Sequence, residues 1–132
     1  MSAERINPAG LSPARGFSHA VVATGSRVVF LAGQTALDEE GKVVGDTLVE
    51  QFGRALANLL SALRAAGGTP ADLARVTVYA TDVAAYRVHA RELGCVWRES
   101  AGRDYPAMAV VEVVRLWDER AMVELDGFAV LP

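Results

Sequence analysis

The chain has 132 residues, 52% of them hydrophobic and 22% charged, a balance that supports a buried core and argues against disorder. Its formal charge of −3 argues against nucleic acid as a partner, because phosphate binding needs a clustered basic face. The thirteen basic residues are scattered, and Lys42 is the only lysine. One domain over residues 1–132 is the expectation from length. A single cysteine, Cys95, cannot form an internal disulfide and points to a reducing compartment. The opening MSAERINPAG has no apolar stretch of signal-peptide length, and no run approaches the roughly 18 apolar residues of a membrane span, so a cytoplasmic protein without membrane contact is expected.

In chain order, GLSPARGFS reads as a flexible leading loop. His19–Ala23 and Arg27–Leu31 then read as the arms of a hairpin turning through Thr24-Gly25-Ser26. LDEEGKVVGD is a polar loop, with room for a short strand at Val43-Val44. A long helix is expected from about Asp46 to Ala66. Thr47 and Glu50 have the spacing of a capping box, and Leu48, Phe52, Leu56, Leu59, Leu60 and Leu63 recur on one face. Gly67-Gly68 ends it and Pro70 blocks its resumption.

ARVTVYATD alternates Val76, Val78 and Ala80 with Thr77, Tyr79 and Thr81, the pattern of a strand with one apolar face. Asp82 is placed to cap a second helix from Val83 to about Ala101, with Val83, Tyr86, Ala90, Leu93 and Trp97 as its stripe. Two strands follow, Ala107–Leu116 and Ala121–Val130, joined by WDER. The expected order is β-β-α-β-α-β-β: an α+β fold in which two helices cover one face of one mixed sheet. No third helix is available for the other face, which predicts association through it.

Familiar catalytic signatures are absent: there is no P-loop, GxGxxG, HExxH or Gly-x-Ser-x-Gly. His19 and His89 have no carboxylate or cysteine at metal-ligand spacing, so no metal and no cofactor are expected. In FLAGQT, Gly33 either presents its backbone to a ligand or relieves crowding in the sheet. Glu124 sits in a valine-rich strand, where a carboxylate must be paired, protonated or facing a wet pocket. Glu112 has the same ambiguity, with Arg115 as a partner within reach in sequence.

The segments RINPAGLSPARGFSHAVVA, VVFLAGQTALDEEGKVVG, QFGRALANLLSALRAAGG, VTVYATDV and YPAMAVVEVVRL…VELDGFAV together resemble the Rid family, also called YjgF, across nearly the whole chain and in order. The resemblance implies a chorismate-mutase-like fold and a homotrimer with small-molecule clefts between subunits. It further implies hydrolytic deamination of imines and enamines. Glu124 matches the glutamate that positions or activates water in the family, and Gly33 matches a glycine whose amide faces the ligand. Deaminating members carry Pro-Ala-Arg where this chain has Pro106-Ala107-Met108, so Met108 stands in place of the arginine that grips the substrate carboxylate. Val110 replaces a frequent cysteine and Ala32 a frequent serine. Phe17 lies in the neighbourhood of an expected tyrosine, and Arg91 falls near an interface asparagine, either as surface or as a substitute cation. A hydrolase for substrates with an apolar rather than anionic end is implied, with a non-catalytic trimeric binding module as the alternative.

Overall fold

The computed structural model describes residues 3–132. Six strands and three helices follow the chain: β1 (Ala3–Ile6), β2 (Ala20–Ala23), β3 (Arg27–Gln34), α1 (Leu48–Ala65), β4 (Leu73–Ala80), α2 (Val83–Val88), α3 (Ala90–Ala101), β5 (Ala107–Glu112) and β6 (Val123–Leu131). The fold is α+β. Its main sheet has the order β3-β6-β4-β5, with β4 and β5 parallel and every other pair antiparallel. The parallel pair requires a long crossover, which α2 and α3 supply.

The local signals hold. Thr47 and Glu50 form the capping box at the start of α1, and the left-handed Gly67 follows its end. Val76, Val78 and Ala80 are buried while their neighbours are half-exposed, as the alternation requires. Leu56, Leu59, Leu60 and Leu63 of α1 pack with Leu93 and Trp97 of α3 against Val76, Val123 and Leu125 of the sheet. Buried Gln51 ties this core to the chain before β6. Its amide donates to the Gly45 and Arg120 carbonyls, and its oxygen accepts from the Met122 amide at 2.8 Å.

Four expectations need correction. The segments flanking Gly25 do not form a hairpin. β2 pairs with the unforeseen β1 in a separate two-stranded sheet, and β3 pairs with β6, so two sheets replace the expected single one. The second helix is interrupted at His89, whose backbone leaves helical geometry at φ −97° and ψ 14°. β5 ends at Glu112 rather than Leu116, and the chain then projects Val114 and Trp117 into solvent. Glu112 does not pair with Arg115. Its carboxylate accepts a 3.0 Å hydrogen bond from the Val83 amide, at the start of α2.

Helices cover only one face of the main sheet. The other carries Phe30, 80% exposed, against its cross-strand neighbour Phe128, with Val28 beside them 54% exposed. No helix among the described residues is long and apolar enough to cross a membrane.

Candidate functional site

Two groups of residues stand out, and the pleat of the sheet separates them. Met108 pairs across strands with Val76, and Glu124 pairs with Tyr79. Cross-strand partners share a face, whereas residues three apart on β4 point to opposite faces. Met108 therefore lies on the helix side of the sheet and Glu124 on the open side.

On the helix side, a cavity of about 360 Å³ opens between β5, α3 and the leading loop. Phe17, Tyr86, Leu93, Trp97, Met108 and Val110 form much of its wall. The loop is docked there because the Ser18 amide and hydroxyl donate to the Pro106 and Tyr105 carbonyls at 2.9 and 2.7 Å. Arg5 of β1 also reaches the Tyr105 carbonyl, at 3.3 Å, so the β1–β2 ribbon braces the same wall. Gly16 turns at φ 76°, a left-handed conformation glycine adopts without strain, and the residues on both sides of it line the cavity. Burial pushes the Tyr86 hydroxyl up to about 12, so it remains a donor at any physiological pH.

On the open side, β3 bulges. Leu31 pairs with Gly127 and Gln34 with Leu125, which leaves one extra residue at Ala32-Gly33. A side chain at Gly33 would collide with the Glu124 carboxylate, so glycine is what admits that group to its position. Burial raises the Glu124 carboxyl above the ordinary carboxylate range, and Asp126 and Asp118 push it the same way. Asp118 is held by the Thr35 hydroxyl at 2.7 Å, and Asp126 accepts from the Tyr79 hydroxyl at 3.3 Å. A half-buried carboxyl whose proton is held more tightly than usual is suited to receive a proton and return it.

Of the residues singled out in the sequence, Phe17, Met108 and Val110 thus share the cavity, while Gly33 and Glu124 share the open face. Arg91 is exposed on α3, and the cavity is lined instead by its neighbour Ala90. His19 contacts the Ser12 carbonyl through Nε2 at 2.7 Å and packs edge-on against Phe17. His89 marks the break between α2 and α3, with Nδ1 3.0 Å from Glu92. Cys95 is exposed, and an Arg98 guanidinium nitrogen lies 3.2 Å from its sulfur. Among the described residues, no three of His, Cys, Asp and Glu are grouped to hold a metal ion. Sequence reasoning missed Arg15. Its signal was a cation next to a turn glycine in the loop between β1 and β2.

This mixed sheet, covered by helices on one face only, defines a protein of chorismate-mutase-like architecture. It superimposes on the Rid protein YyfB of Yersinia pestis with a TM-score of 0.86 and 33% identity, covering 99% of this chain and 100% of that one. A RutC family protein of Pyrococcus abyssi is 32% identical over 102 residues, 76% of each chain. The structure of Escherichia coli TdcF with bound serine matches with a TM-score of 0.70 and 25% identity, covering 96% of this chain and 94% of that one. The family profile described as Endoribonuclease L-PSP matches residues 8–131. The chain belongs to that family, which is the Rid/YjgF family.

Proposed function

We propose that this protein hydrolyses small imines or enamines in a cleft formed between protomers of a homotrimer. The observation that carries the reading is the half-buried Glu124 carboxyl on the open face of the sheet, raised in pKa and lodged against Gly33. The reaction asks little of a protein. Water adds to the carbon of a C=N bond while Glu124 takes its proton. Glu124 returns that proton to the nitrogen, and the carbinolamine then collapses as its hydroxyl proton also passes to nitrogen, breaking the C–N bond to release ammonia and leave a carbonyl. Placement of Met108 and Glu124 on opposite faces supports a cleft assembled from two copies. The apolar row of Val28, Phe30 and Phe128 supplies a surface for that contact. Bound serine in the related TdcF supports a small amino-acid-like ligand rather than the RNA that the family description suggests. With Met108 in place of a guanidinium, the inner end of the cavity receives an uncharged group.

Ammonia release from freshly generated imines, compared between the wild type and Glu124→Gln, tests the reading. A rate at least tenfold above background that the variant loses supports it, and equal background rates for both remove it. Charging the open face by Phe30→Glu should yield folded monomers in sedimentation and abolish the activity with the assembly.

A second reading, a binding module without turnover, is favoured by Met108, Ala32 and Phe17, each of which lacks a polar group common in deaminating relatives. It predicts ligand-induced thermal stabilisation with no ammonia released.

A further inference from the structure

We infer that Arg15 is the anion-binding group of the cavity, so that the favoured ligand is a small carboxylate with a bulky apolar body. The body enters toward Met108 and the carboxylate stays at the loop. This rests on the reading of the cavity as a ligand site, and it reverses the polarity that an arginine at position 108 would impose.

Three observations carry it. Arg15 is the only charged residue lining the cavity among the described residues. It makes no ion pair or side-chain hydrogen bond with any of them, unlike Arg5, Arg54 and Arg120, each of which has a carboxylate within 4 Å. A guanidinium beside an apolar surface, with its five donors uncommitted, is matched by a carboxylate in a bidentate pair. The remaining wall is apolar and aromatic, with Phe52, Leu93 and Met108 offering neither a charge nor a strong donor. A volume of about 360 Å³ exceeds what a two- or three-carbon acid fills, and an aromatic or branched body uses it better.

Trp97 adds a polar detail. It lines the cavity, is only 4% exposed, and its indole N–H meets no acceptor among the described residues. Buried donors are normally satisfied, so a ligand whose polar atoms include an acceptor suits this wall better than a hydrocarbon.

Isothermal titration with three probes tests the inference: 3-phenylpropanoate, its uncharged amide, and propanoate. The wild type should bind 3-phenylpropanoate tightest. Arg15→Gln should weaken that binding roughly ten- to a hundredfold and leave the amide unchanged, as expected for loss of a charge-assisted pair. Arg15→Lys should recover part of the loss. Arg15 is exposed and unpaired, so an unchanged unfolding temperature for both variants is expected and certifies the comparison. The inference is overturned if Arg15→Gln binds 3-phenylpropanoate as the wild type does, if propanoate matches it, or if none of the probes binds. Arg15-dependent binding without ammonia release would leave the inference standing and remove the hydrolase. Imine hydrolysis that Glu124→Gln abolishes and Arg15→Gln spares would do the reverse.

Discussion

Replacing Gly33 by alanine isolates what the open-face carboxyl contributes. The new methyl group would clash with a Glu124 carboxylate oxygen, with the carboxylate carbon 2.9 Å away, so the side chain must rotate off. The displaced atoms are the far end of a flexible chain, and an unfavourable rotamer costs about 0.5–1.5 kcal/mol. A fall in Tm of no more than about 5 °C is therefore expected. Chemistry is far less tolerant. Moving the proton acceptor by more than about 1 Å should cost on the order of a hundredfold in kcat/KM for imine hydrolysis. Because the two residues act through one carboxylate, Gly33→Ala combined with Glu124→Gln should lose little more than Glu124→Gln alone. Carboxyl-selective NMR titration provides a readout independent of turnover, since the Glu124 pKa should change in the alanine variant. Wild-type hydrolysis by Gly33→Ala, or losses that multiply in the double variant, would refute the reasoning.

Three further outcomes follow from the same geometry. Burial holds the Glu124 carboxyl above the ordinary carboxylate range, so the native state holds its proton more tightly than the unfolded chain. The stability linked to that proton is present below about pH 4 and is lost as pH rises through the native value. Glu124→Gln should therefore gain Tm relative to the wild type between pH 4 and pH 7, as scanning calorimetry across that range would reveal. Met108→Arg should strengthen binding of propanoate roughly tenfold or more by calorimetric titration while lowering Tm, because the methionine also packs against the core. Gln51→Leu leaves the Gly45 and Arg120 carbonyls and the Met122 amide without their side-chain partner. It should cost about 2–4 kcal/mol in urea unfolding.

Short-range features were readable from the chain. The capping box, the glycine stop after α1 and the alternation in β4 each rest on contacts within a few residues, and each is present. What failed was long-range. β2 and β3 have the composition of a hairpin, but their partners lie at the N-terminus and at β6, and pairing over that distance leaves no local mark. The break at His89 has no glycine or proline to announce it. At the site, Gly33 drew notice in the sequence, but the steric reason for a glycine there did not. A free amide was one expectation from sequence, whereas the structure adds a side chain elsewhere that needs the room. Tyr86 and Trp97 fitted a helical core stripe, and only the placement of α2 and α3 beside β5 turns that stripe into a cavity wall. Arg91 drew notice through family register and Arg15 drew none, although the loop's docking onto Tyr105 and Pro106 puts the latter at the cavity.

In the proposed homotrimer, with copies joined head to tail, residence of cavity and carboxyl on opposite sides of one sheet would have a genetic consequence. Two defective alleles, one impaired at residue 108 and one at residue 124, could rescue each other inside a shared ring. Any place where the first kind of copy lends its intact carboxyl to the second kind's intact cavity regains a complete pair. Random equal mixing in a three-membered ring would restore about a quarter of the places, whereas neither allele alone restores any.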